Sequence, residues 1–149
     1  MTMSNLLEIN NLSVDFPSRR GQVAAVNKVS ITVAKGEVLG LVGESGAGKS
    51  TVGNSIINLL EPPGYISGGE IIFDGNRIDQ LSNEDMRKIR GAKIGTIFQD
   101  PQTSLNPLMT IGKQLSETLI ETLKISGASA RKNRLSYLIQ SVFPIQNHV

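Results

Sequence analysis

Five consecutive residues, Val38, Leu39, Gly40, Leu41 and Val42, form an apolar run that leads into Gly43, Glu44, Ser45, Gly46, Ala47, Gly48, Lys49, Ser50 and Thr51. Gly43 to Ser50 fill every position of G-x-x-x-x-G-K-[ST], and their setting constrains the fold. A short apolar run bounded by turn formers predicts a buried strand over residues 38–42, and Val52, Ile56, Leu59 and Leu60 on one face predict a helix over residues 50–60. Glycines let successive backbone N–H groups turn inward without Cβ interference. The result is a concave anion nest at a helix N-terminus, where partial positive charge already sits. Lys49 adds an ammonium for the β- and γ-phosphates, and the Ser50 hydroxyl is a hard oxygen ligand for the Mg²⁺ that travels with them. A glycine-rich turn can match the bare pattern by chance, but the strand before and the helix after supply the context that distinguishes a phosphate loop. The chain is expected to bind a nucleoside triphosphate.

Composition sets looser bounds. At 149 residues the chain has the length of about one domain, and 39% apolar with 19% charged residues is ordinary for a globular protein that buries a core. The net charge of +2 is too small to argue for nucleic acid, and the pairs Arg19-Arg20 and Arg131-Lys132 read as solvated surface. No cysteine is present, which excludes disulfides, thiol nucleophiles and cysteine-ligated zinc within these residues. No run approaches the roughly 20 apolar residues of a membrane span, so membrane contact is expected to be peripheral.

Along the chain, residues 6–16 and 23–33 alternate apolar and polar side chains as half-buried antiparallel strands do, with a turn at 17–21 between them. Pro62 and Pro63 are expected to end the helix after the phosphate loop. Ile71, Ile72 and Phe73 followed by Asp74, Gly75 and Asn76 predict a strand and a tight turn. Ser82 is expected to cap a short helix reaching about Arg90, with Asp85 at the capping-box position, and residues 94–98 read as another strand. Loop formers fill residues 99–108. Ile111, Leu115, Leu119 and Leu123 then recur every fourth residue, Gly127 interrupts them, and Leu135, Leu138, Ile139 and Val142 give a second helical stripe. The pattern predicts a mixed α/β chain in which antiparallel strands precede a strand-loop-helix core and a helical pair follows.

This organisation resembles the nucleotide-binding subunit of ABC transporters. Three stretches carry the resemblance: Ala25, Val26, Asn27, Lys28, Val29 and Ser30 ahead of Gly36 and Glu37; the loop from Gly43 to Thr51; and Ile97, Phe98, Gln99, Asp100 and Pro101. The further run Gln102, Thr103, Ser104, Leu105, Asn106 and Pro107 is similar to the dipeptide and oligopeptide importers, a subgroup that also includes nickel and glutathione importers. The resemblance implies a P-loop NTPase core with an N-terminal antiparallel β-subdomain and the start of a helical subdomain. In its terms residues 4–149 form an incomplete nucleotide-binding domain, with residues 6–108 as β-subdomain and core and 109–143 opening the helical part.

It also implies roles. ATP and Mg²⁺ would be bound by Gly43, Glu44, Ser45, Gly46, Ala47, Gly48, Lys49, Ser50 and Thr51, with Lys49 and Gln99 acting in catalysis and Ser50 and Gln99 at the metal. Gln99 matches the glutamine of the Q-loop, whose amide oxygen reaches Mg²⁺ or the attacking water; otherwise it is a solvated loop residue. Phe16 falls where the family places an aromatic that stacks on adenine, and a flat apolar ring does offer a base a π face. The other reading of Phe16 is an ordinary core aromatic at the end of the first strand. Implied partners are transmembrane permease subunits, a second nucleotide-binding subunit and, indirectly, an extracytoplasmic solute-binding protein. The implied location is the cytoplasmic face of the cell membrane, and Leu105, Leu108 and Met109 are candidates for contact with the permease.

Two further matches carry no function. Ile66, Ser67, Gly68, Gly69 and Glu70 look like the family's LSGGQ signature but precede the helical subdomain, so their glycines are expected to serve a turn. His148 sits in a polar tail and lacks the apolar strand that precedes the family's switch histidine. A true signature, an Asp-Glu pair after an apolar strand and a switch histidine are not among the 149 residues. The expectation is therefore a truncated cassette, the N-terminal part of an importer ATPase that turns nothing over by itself, or a fragment that at most holds nucleotide or a partner.

Overall fold

The computed structural model describes residues 5–19, 21–98 and 105–142, with all their side chains except those of 122, 123, 134, 135 and 137–142. The chain divides into two compact units, Met1–Arg87 and Lys88–Val149.

The first unit is built on a four-stranded antiparallel sheet in the order β2-β1-β3-β4. Strand β1 (Asn5–Ser18) and β2 (Gly21–Ala34) form the expected hairpin. The strands run further than the alternation indicated, because Pro17 pairs with Gln22 and Ser18 with Gly21, so the turn is tighter than residues 17–21. Strand β3 (Tyr65–Phe73) lies on the other side of β1, and β4 (Asn76–Arg77) closes the sheet. The β3–β4 connection is the two residues Asp74 and Gly75, at φ 49° and 73°, the left-handed pair that suits a tight hairpin turn. Inward-facing Ile9, Leu12, Val14, Val26 and Ile71 are almost entirely buried, joined by Ile78 and by Met86 from α2 (Asn83–Ile89). Full burial of each such aliphatic side chain is worth about 1.5–3 kcal/mol, which makes this face the main support of the unit.

Register shifts interrupt β1 between Asn10 and Ser13 on the β3 side and between Ile9 and Leu12 on the β2 side. At the irregularity Asn11 takes φ 50° and Gly69 φ 86°. A Cβ on Gly69 would stand 2.5 Å from the carbonyl oxygens of Asn10 and Asn11. Serine hydroxyls take up displaced backbone donors there, from Asn11 N–H to Ser30 Oγ at 2.9 Å and from Lys28 N–H to Ser13 Oγ at 3.1 Å. The glycines at 68 and 69 thus belong to a strand bulge, which corrects the expected turn; they let two backbones approach. Beside them Arg77 donates to both carboxylate oxygens of Asp79, pairs with Glu70 at 3.3 Å and donates to Gly69 O at 3.2 Å. Asp79 also accepts the Ile71 N–H at 2.9 Å. Donation to the Asp79 carboxylate raises the Arg77 pKa, opposed by desolvation and helped by the charges of Asp79 and Glu70.

Three expectations need correction. Helix α1 runs Lys49–Ile56, four residues short of Leu60. Asn58 at φ 50° ends it: its N–H bonds Ser55 O at 3.1 Å and Leu59 N–H bonds Asn54 O at 2.8 Å, the paired bonds of a Schellman motif. The prolines stand downstream of a stop already made, and Leu59 is left 43% exposed while Ile57 is buried. Residues 38–42 take no strand pairing; Val38 and Val42 are 96% and 94% exposed. Residues 94–98 form only an isolated bridge between Arg90 and Ile94, with Ile97 99% exposed. A strand exists only by pairing, and among the described residues neither segment has a ladder to join, whatever its apolar pattern.

In the second unit, α3 (Ile111–Leu123) and α4 (Gly127–Val142) form a helical hairpin. The Thr110 hydroxyl caps α3 by accepting Lys113 N–H at 3.3 Å, and Lys124 at φ 53° ends it. Gly127 begins α4, and the break lies at residues 124–126. Leu119, Ser116 and Ala130 are buried, whereas Ile111 at the head of the stripe is half exposed.

Candidate functional site

The loop expected to hold phosphate is fixed where α1 begins. Gly48 is the N-cap residue, in the left-handed region at φ 82°, and it makes no side-chain cap. The first intrahelical donor is Val52, whose N–H reaches Gly48 O at 2.9 Å, so the N–H groups of the preceding turn are free to meet an anion. No acidic residue lies in that first turn to compete for the positive end of the helix. A turn from Ala47 N–H to Glu44 O at 3.2 Å bends the loop, and Gly46 at φ 81° supplies a second left-handed residue.

Gly48 is also required by space. A Cβ there would run into the carbonyl oxygen of Ala25 and stand 3.4 Å from Val26 Cγ2. Strand β2 is thereby the buttress of the loop. A small cavity of 170 Å³ lies along this contact, lined among others by Ala25, Val26, Ala47, Gly48, Lys49 and Val52. The role of Ala25 was not visible in its residue type, because a backbone oxygen makes the contact.

Lys49 folds back over the loop. Its ammonium donates to Gly43 O at 2.8 Å and to Glu44 O. Two of its three N–H donors are thus committed to the loop's own carbonyls, which leaves one to project toward a bound phosphate. Ser50 is exposed in the first turn of α1, and the neighbouring Thr51 carbonyl accepts the Ser55 hydroxyl at 2.7 Å. Among the described residues no group of three or more His, Cys, Asp or Glu side chains is placed to hold a metal ion. A single serine hydroxyl suits Mg²⁺, which keeps its waters and takes most other ligands from phosphate.

Phe16 pairs with Val23, two residues along β2 from Ala25, so the same strand carries the loop's buttress and the neighbour of this ring. The ring is half buried and its tip lies against Gly64, a contact across 48 positions that no local pattern reveals. The structure brings Lys49 and Ser50 together in the loop; Gln99 lies outside the described residues, as do Asp100 and His148. Of the proposed permease contacts, Leu108 is 92% exposed and Leu105 48%, while Met109 is half buried. No helix among the described residues is long and apolar enough to cross a membrane.

A family model described as ABC transporter matches residues 26–145. The chain belongs to this family. It is 44% identical over 137 residues to the oligopeptide transport ATP-binding protein OppD of Bacillus subtilis, covering 91% of this chain and 38% of that protein. It is 46% identical over 137 residues to the dipeptide transport ATP-binding protein DppD of the same organism, covering 91% and 41%. The chain therefore spans about two fifths of the length of these relatives. Among solved structures it resembles the dimeric ATP-binding cassette MJ0796, in a post-hydrolysis state bound to ADP and Pi, with a TM-score of 0.78 and 29% identity over 92% of this chain and 57% of that one. The fold is that of an α/β ABC ATPase cassette.

Proposed function

We propose that this chain is the nucleotide-binding part of an ABC importer subunit that couples ATP binding and hydrolysis to uptake of peptides. The observation that carries the reading is the uncapped N-terminus of α1, wrapped by a glycine loop whose lysine is held over it. Identity of 44% and 46% to oligopeptide and dipeptide transport ATP-binding proteins supports the peptide class.

In this reading the backbone N–H groups from Gly46 to Thr51 orient the β- and γ-phosphates, and the free donor of Lys49 offsets their charge. Ser50 holds Mg²⁺, which when bound neutralises the charge that develops on the transferred phosphoryl group. Phe16 stacks on adenine, and Gln99 carries the role that the resemblance gives it. Phosphoryl transfer needs little covalent help, so what these residues contribute is placement and electrostatics. Closure by a second nucleotide-binding subunit and docking on permease subunits complete the machine, peripheral to the cytoplasmic face of the membrane.

The test is uptake of a labelled di- or oligopeptide by the complete subunit reconstituted with its permeases in vesicles. Uptake should require ATP and disappear with Lys49→Ala. Uptake of nickel or glutathione in place of peptide would overturn the substrate class, and ATP binding without any dependent uptake would overturn the importer reading.

A further inference from the structure

The residues on either side of Phe16 are tied down by backbone and side chain. Asp15 pairs with Tyr65 of β3, Pro17 pairs with Gln22 of β2, and Gln22 Nε2 donates to the Tyr65 hydroxyl at 2.9 Å. The backbone at Phe16 is thus held from both neighbouring strands, and the ring is the part left to be placed. Its Cε1 and Cζ atoms occupy the space where a side chain at position 64 would begin: an ideal Cβ on Gly64 would lie 2.5 and 2.6 Å from them. Gly64 N–H donates to Glu61 O at 2.8 Å, closing a turn just before β3. Gly64 itself is not in the left-handed region, so its backbone conformation does not reserve the position for glycine. What excludes a side chain at position 64 is chiefly the ring of Phe16, with Glu61 O at 3.0 Å from the same ideal Cβ.

We propose that Gly64 is a positioning residue for nucleotide binding: by lacking a side chain it lets the Phe16 ring stand where it stacks on the base. The inference rests on the reading that Phe16 stacks on adenine. A methyl group at position 64 needs about 3.5–4 Å from aromatic carbons, so the ring must withdraw by about an ångström or rotate. The ring yields because the tip of a side chain moves more easily than the backbone that β2 and β3 hold. Stacking depends on face-to-face overlap with the base, so a displaced ring weakens binding of the nucleoside and leaves the phosphate cradle on α1 untouched.

The experiment uses the complete subunit carrying Gly64→Ala, Phe16→Ala or both, titrated with ATP and with inorganic tripolyphosphate, which has no base. Gly64→Ala should weaken ATP on the order of tenfold, within what one base–aromatic stack contributes, and leave tripolyphosphate within about twofold. The double variant should bind ATP no worse than Phe16→Ala, because the glycine acts only through the ring. Equal losses for both ligands, no loss for ATP, or additive losses in the double variant would overturn the proposal. If Phe16→Ala leaves ATP and tripolyphosphate in their original ratio, the stacking reading itself fails and the inference fails with it. Should Gly64→Ala not fold, Phe16→Leu combined with Gly64→Ala removes Cε1 and Cζ. Recovery of the fold with ATP still selectively weakened supports the proposal, and failure to recover shows that something other than the ring excludes a side chain at position 64.

Discussion

Replacing Lys49 by alanine separates what the lysine does for the loop from what it does for a ligand. In the folded chain the ammonium donates to the carbonyls of Gly43 and Glu44, both in exposed residues that water can reach when the side chain is removed. Neither carbonyl is orphaned, so the change in folding stability should stay within about 0.5 kcal/mol, as for other substitutions that bury no unpaired group. The remaining donor is the one aimed outward. A hydrogen bond from a charged group contributes about 1.5–3 kcal/mol, which corresponds to roughly a 10- to 150-fold loss of affinity. That loss should be graded by the ligand: largest for ATP, smaller for ADP and near zero for AMP, since the ammonium serves the β- and γ-phosphates. Calorimetric titration of the complete subunit with the three nucleotides, alongside thermal unfolding, reads both quantities. Equal losses for ATP and AMP would refute the reasoning, because they would mean that the substitution had disturbed the loop as a whole.

Ser50→Ala should weaken ATP binding in the presence of magnesium and leave the affinity measured in chelator unchanged; equal effects in both conditions would remove Ser50 from the metal. Asp79→Ala should lower stability by about 2 kcal/mol, because the N–H of buried Ile71 and the Arg77 guanidinium lose their shared acceptor. A urea midpoint that does not move would show that water replaces the carboxylate at no cost. Leu108→Glu should leave stability within about 0.5 kcal/mol and ATP affinity unchanged, since the side chain is 92% exposed, while crosslinking to the permease falls. Loss of ATP affinity in that variant would place Leu108 in the core.

The features legible in the sequence are those whose cause is local. The β1–β2 hairpin, the Asp74-Gly75 turn, the cap on α2 and the glycine turn that opens α1 each follow from a pattern between sequence neighbours. The α2 cap forms with the Ser82 hydroxyl accepting Asp85 N–H at 3.1 Å. Residues 38–42 show the limit of that reading, because their composition is that of a strand but no described ladder receives them. The end of α1 is not signalled by its prolines, because Asn58, an ordinary polar residue in sequence, takes a left-handed conformation before they are reached. In the candidate site, the glycine-lysine pattern disclosed where α1 begins, whereas the Ala25 carbonyl behind Gly48 and the Gly64 gap beneath Phe16 are long-range contacts through a backbone atom and a missing one.

The antiparallel sheet is complete by Arg77, with every one of its pairings drawn from residues 5–77. During synthesis it can therefore assemble while later residues are still emerging, as N-terminal units generally do. The run at 38–42 lies inside that early unit but takes no part in its pairing. Two nearly bare valines with half-exposed leucines between them make it an apolar segment that the sheet leaves uncovered. A chaperone that reads extended apolar segments should engage the emerging chain there.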